Sequence, residues 1–177
     1  MTTFLWIVGI IVALYIYLLL RKPAVPTSHW QRSFDGFQFS AEDFYEQVRK
    51  GIQSRETPSV KFDEESFVES HILSGRRKYL RITFAEYVFY VSGCAFGTGS
   101  FASWWLCVKQ EGILNRIPIL SKLMGKDRND KTFYQQDTEA MYRAMVHGVV
   151  TDVLDGLTGA QGLRPLTELE KQYTIAK

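Results

Sequence analysis

The alternation of apolar and polar residues changes character three times along the chain, and each change predicts a different element. Residues 4–20, FLWIVGIIVALYIYLLL, contain no charge, no proline and a single glycine. As a helix this run spans about 25 Å, near the lower limit for crossing a hydrocarbon core of about 30 Å. A buried core helix of that length would keep a polar face, and this one has none. Trp6 stands near one end, and Tyr15 and Tyr17 toward the other, where aromatic belts meet head groups. We read residues 1–22 as one transmembrane anchor that is retained. No basic residue precedes the run, Arg21 and Lys22 follow it directly, and prolines flank the small residues of KPAVPTS, all against a cleaved signal. By the positive-inside rule the same two charges put the N-terminus outside and the C-terminal domain in the cytoplasm of a single-pass protein.

Residues 23–33, PAVPTSHWQRS, read as a short, stiff linker with two prolines. The domain proper is expected over 34–177. Ser40 followed by Asp43 has the form of a helix-capping pair, and Phe44, Tyr45, Val48 and Ile52 then recur at helical spacing up to a stop before Pro58. From Val60 the period becomes two. Val60 and Phe62 alternate with polar residues and DEES makes a turn. Val68 and Ile72 share a face, and Leu80, Ile82 and Phe84 face away from Tyr79, Arg81 and Thr83. VFYVS and FASWWLCV are apolar on both faces, as central strands of an antiparallel sheet are. IPILSKLM reads as a short helix packed on the sheet, or alternatively one lying on the bilayer surface. The helical period returns from Thr138 to about Leu157, with Asp137 as N-cap and Gly159 as C-cap. Its apolar stripe holds Met141, Tyr142, Met145, Val146, Val149, Val153, Leu154 and Leu157, while Arg143, His147 and Thr151 lie on another, solvated face. The polar tail GLRPLTELEKQ docks loosely. The sum is an α+β chain: an N-terminal transmembrane helix followed by a two-layer domain, an antiparallel β-meander packed by helices.

Charge changes the picture only by exclusion. With Arg21 and Lys22 set aside, basic and acidic residues balance at 19 each, and no basic run points to nucleic acid. The stretch with the strongest chemical look is CAFGTGSFASWWLC, residues 94–107. Its glycines do not have phosphate-loop spacing, and a β-forming run follows where a helix N-terminus would be needed. Centring a turn on Thr98 puts Cys94 opposite Ala102 and the cysteines on opposite faces. A shift by one puts Cys94 opposite Ser103 and Cys107 about 13 Å farther on, too far for a disulfide. The stretch is therefore a hairpin, with Trp104 and Trp105 pointing to opposite faces. An exposed Trp would be the best binding-site clue in the chain.

No catalytic constellation is legible. Glu69 and His71 share a strand face and form the one candidate acid–base pair, against the plainer reading of a surface pair. No nucleophile is tied to a base by spacing, KDRNDK lacks the glycine and terminal Glu of a calcium loop, and no cofactor or metal is expected. In the anchor, Gly9 and Ala13 make a small-xxx-small pair that lets two helices approach, so a homo-oligomer is a possible partner state.

The run from ESHILSGRRKYLRI through FGTGSFASWWL, with MYRAMVHGVVTDVLDGLTGAQGLRPLTELEK, resembles a small family of uncharacterised bacterial membrane-anchored proteins. The resemblance implies a bacterial inner-membrane setting and lends no activity, cofactor or catalytic residue. The expected function is a membrane-anchored binding or accessory protein. It would contact the bilayer through residues 4–20 and recognise a protein partner or small ligand through the domain, with Trp104, Trp105, Glu69 and His71 as candidate contacts. The competing expectations are a membrane-tethered enzyme and a membrane-acting effector that oligomerises through its anchor.

Overall fold

The computed structural model describes Trp6 and residues 26–67, 77–108 and 131–175. Apart from Trp6, the anchor residues with Gly9 and Ala13 lie outside them, as do Glu69, His71 and the IPILSKLM segment. Among the described residues no helix is long and apolar enough to cross a membrane.

The domain is α+β. In chain order it comprises β1 (Pro26–Phe34), α1 (Ala41–Gln53), β2 (Val60–Phe67), β3 (Arg77–Phe84), β4 (Tyr87–Phe96), β5 (Gly99–Val108), α2 (Phe133–Ala160) and the two-residue β6 (Thr174–Ile175). The six strands form one sheet in the order β2-β3-β4-β5-β1-β6, and every pairing among the described residues is antiparallel. β2 to β5 form the expected meander. β1 then returns to lie on the free edge of β5.

β1 corrects the linker reading. Residues 26–33 belong to a strand, and Ser28 and Trp30 are buried in it. Pro26 opens the strand, where a missing N–H is tolerated, and the alternation begins only after it. DEES is likewise strand rather than turn. Asp63 stands opposite Arg81, and the other acids of β2 pair diagonally with bases of β3, Glu65 3.6 Å from Arg81 and Glu64 4.0 Å from Lys78. Charges on an edge strand of this kind also discourage pairing with other chains.

α1 begins as its sequence predicts, with the Ser40 hydroxyl accepting the Asp43 N–H at 3.3 Å, and it ends before Pro58. α2 begins earlier than expected. Thr132, not Asp137, is its N-cap, in a capping box with Gln135, which satisfies two otherwise orphaned N–H groups. It ends at Ala160, past Gly159, with Gln161 as C-cap.

Both helices pack on one face of the sheet. Phe44, Val48 and Ile52 of α1 and Val146, Val149, Val150 and Leu154 of α2 close over Leu80, Ile82, Phe84, Phe89, Val91, Ala102, Trp104 and Leu106. Two glycines let these layers meet. A Cβ on Gly51 would lie 2.6 Å from Val149 Cγ1, and one on Gly93 would lie 2.5 Å from Phe44 Cδ1. The C-terminal tail covers the same side. Trp30 Nε1–H donates to the Glu170 carbonyl at 2.8 Å, and Tyr173 packs on Trp104 and His147 with ring centroids 5.7 and 5.1 Å apart. The tail is thus fastened, and α2 is packed on two sides. For that reason Arg143 and Thr151 are buried instead of solvated, while Met141, expected in the apolar stripe, is exposed.

Candidate functional site

The hairpin sets the two tryptophans apart. Phe96 pairs with Gly99 across a two-residue turn, Gly97-Thr98, with Gly97 at φ +61° as the first turn position requires. Cys94 therefore opposes Phe101, one step from the first register read from the sequence and two from the second. Cys107 opposes Val88, six positions along the same face and about 20 Å away. Both thiols are free, and burial pushes the Cys107 thiol up to about 11.

Trp104 points into the helix-covered core and is fully buried. Its indole N–H donates to His147 Nδ1 at 3.1 Å. With Nδ1 accepting, the ring proton sits on Nε2 and faces the Lys171 backbone carbonyl, so the imidazole is neutral. Burial holds it below its ordinary value, against that carbonyl, which favours the charged form. Trp30 and Tyr173 flank the same ring edge-on at 5.9 and 5.1 Å. His147 is a structural clasp between α2, the sheet and the tail, and Trp104 serves the core, not a binding surface.

Trp105 lies on the other face, half-buried, with its ring stacked on His29 at 4.6 Å and 14°. Register places it in a row running across five strands: Asp63, Arg81, Tyr90, Trp105 and His29. Phe67, Tyr79 and Tyr90 form a mutual edge-to-face cluster beside it, with centroids 5.4, 5.6 and 6.5 Å apart. Val88, Ser92, Ser103 and Cys107, which register places on the same face, are buried. Neither described helix packs on this face, because α1, α2 and the tail occupy the Trp104 side. Burial, then the Glu65 carboxylate, hold the Tyr90 phenol above its ordinary value. Ser92 Oγ, Arg81 Nε and Glu65 Oε2, all on this face, are shielded from solvent and make no hydrogen bond. The face thus combines an aromatic centre with incompletely satisfied polar groups on β2, β3 and β4.

A groove of about 610 Å³ lies elsewhere, where Arg32, Phe34, Phe37 and Phe101 meet Thr158, Arg164, Leu166 and Glu170. Its charges are already matched. Glu170 accepts from Arg164 at 2.8 Å and from Arg32 at 2.7 Å. Arg164, the Thr167 N–H and Arg32, in that order of effect, hold its carboxyl well below the usual carboxylate range. Near the start of α2, Glu139 accepts from Lys131 and from Arg143, whose guanidinium lies 5.6 Å from the Tyr173 ring centroid. Among the described residues no three His, Cys, Asp or Glu side chains come together as metal ligands.

Of the candidate binding and anchor-packing residues, only Trp104 and Trp105 are described, and the sheet separates them. Tyr90, Tyr79, Phe67 and His29 were not singled out. Their signal was the period-two alternation, which puts Tyr79 and Arg81 on the face away from Leu80 and Ile82. No family model, curated protein or solved structure matches the chain.

Proposed function

We propose that the chain is a single-pass, membrane-anchored accessory protein of a bacterial inner membrane, N-terminus outside, whose cytoplasmic α+β domain binds a protein partner through the Trp105 face of its sheet. The observation that carries this reading is the aromatic row Tyr90–Trp105–His29 with Phe67 and Tyr79, on a face that neither described helix nor the tail covers. Tyr and Trp give large contact area for few rotatable bonds, and interfaces place such anchors inside a polar rim. Asp63, Glu65 and Arg81 supply that rim on the β2 side. A second copy of this chain is one such partner.

A small ligand in the Arg32–Arg164 groove is the second reading, favoured by the groove's volume and disfavoured by the Glu170 carboxylate that already engages both guanidinium groups. The enzyme reading through Glu69 and His71, and the effector reading through Gly9 and Ala13, rest on sequence alone. The test is capture of full-length protein from gently solubilised native membranes, with Trp105→Ser/Tyr90→Ser and Phe96→Ser variants alongside. Hot-spot residues cost about 2 kcal/mol or more each when truncated, so the double variant should lose a stoichiometric partner that Phe96→Ser retains. Absence of any stoichiometric partner, or one indifferent to the double change, would refute the proposal.

A further inference from the structure

One end of the domain is fixed by the chain's own connectivity. β1 starts at Pro26 opposite Cys107, and β5 ends at Val108 opposite Tyr87. α2 starts at the same end: the Tyr87 hydroxyl donates to the Gln135 carbonyl at 2.9 Å, and the Thr27 hydroxyl lies 3.4 Å from Glu139 Oε1. α2 then runs in the direction of β1, because His147 meets Trp30 and Thr158 lines the groove beside Phe34. Phe133 lies six positions before Glu139, so it projects about 9 Å beyond the level of Thr27.

What projects there is aromatic. Phe133 and Tyr134 are 87 % and 79 % exposed, and the first turn of α2, FYQQ, carries no charge. The apolar run ends at Leu20, and residues 21–25 can reach no more than about 20 Å from there to Pro26. Arg21 and Lys22 lie within that tether. The tether therefore bounds how far Pro26, at the same end of the domain as Phe133 and Tyr134, can lie from whatever surface residues 4–20 enter. Exposed apolar residues scattered singly on a protein need no explanation, but an adjacent pair on an uncharged turn at the tethered end does.

We infer that Phe133 and Tyr134 sit in the head-group layer of the bilayer, as interfacial aromatics do, and form a second membrane contact that orients the domain. The inference rests on the anchor reading proposed above. It makes the strands stand away from the membrane.

The test uses the full chain in nanodiscs containing a phosphatidylcholine with a diazirine near its head group, with photoadducts mapped by mass spectrometry. Adducts are expected on residues 4–20 and on Phe133 and Tyr134. They are not expected on Phe96, which is 71 % exposed at the β4–β5 turn, about 30 Å along the strands. Adducts on residues 4–20 with none on Phe133 and Tyr134, or equal yield at Phe96, would overturn the membrane contact while leaving the anchor intact. No adducts on residues 4–20 would overturn the anchor reading and the contact together.

Discussion

Replacing Trp104 by Phe should destabilise the core, because two separate losses coincide there. Removing the indole N–H leaves the half-buried His147 Nδ1 without its donor, a penalty of about 1–3 kcal/mol. Trimming the bicyclic ring also opens a void in a layer shared with Phe89 and Tyr173, which adds about 1–2 kcal/mol. The expected loss is about 2–5 kcal/mol, or about 5–15 °C in Tm for a domain of this size. Trp105→Phe is the control. It keeps a ring over His29 on the half-buried face and should cost less than about 1 kcal/mol. The assay is urea unfolding of the full chain in detergent at pH 7.5, followed by near-ultraviolet circular dichroism. Equal losses for the two substitutions, or a loss under about 1 kcal/mol for Trp104→Phe, would refute the division of labour between the faces.

Two further predictions follow from the same geometry. Burial lowers the His147 pKa, so the unfolded chain takes up this proton at a higher pH than the folded one does. The stability contribution is fully present above the unfolded value of 6.5 and falls as pH drops from there through the folded value. A single proton limits the slope to about 1.4 kcal/mol per pH unit. In His147→Phe that part of the pH dependence should vanish, and an identical pH profile for both proteins would show that His147 does not titrate as described. Among the hairpin glycines the order of damage should be Gly99→Ala, then Gly93→Ala, then Gly97→Ala. A Cβ on Gly99 meets the Phe34 backbone oxygen at 2.0 Å, and neither strand can give way without losing the β1–β5 ladder. On Gly93 it meets the Phe44 side chain at 2.5 Å, an overpacking cost of about 1–3 kcal/mol. On Gly97 it meets nothing and costs only the left-handed backbone, about 1 kcal/mol. Denaturation midpoints in any other order would count against the registers that place these residues.

The elements most legible in the sequence were those covered on one side. β3 shows strict alternation because Leu80 and Ile82 are buried while Tyr79 and Arg81 are not, and α1 shows a clean stripe for the same reason. The hairpin was legible as a hairpin, but its register was not. Periodicity fixes which residues alternate, whereas turn length fixes which residues oppose, and a two-residue turn moved Cys94 one step to Phe101. β1 was hidden behind Pro23 and Pro26, and β2 behind charges that pair across the sheet edge instead of turning the chain. α2 misled for a different reason. A single apolar stripe presumes a single packed face, yet the tail packs Tyr173 against Arg143 and His147, so residues on the second face had to be polar and partnered rather than apolar. Adjacent Trp104 and Trp105 had to diverge, but alternation alone cannot say which of them meets the helices.

That divergence gives the molecule two faces whose roles can be separated experimentally. On the Trp104 side, folding consumes what is available: helices, tail, the His147 clasp and the Glu170 ion pairs all close over it. Changes there will move stability first, and binding only as a consequence. The Trp105 side holds the half-buried Trp105, Tyr90 and Tyr79 rings alongside buried Val88, Ser92, Ser103 and Cys107, so truncating those rings should cost less stability than truncating Trp104. A partner lost at constant stability would therefore assign recognition to that face, whereas a partner lost in step with stability would mean only that the sheet had failed. On the membrane contact proposed above, the Trp105 face would stand along the membrane normal, within reach of a neighbour anchored in the same membrane. On the proposed function, the row, aromatic at its centre and charged at Arg81 and Asp63, would suit a partner with an apolar patch bordered by both signs of charge.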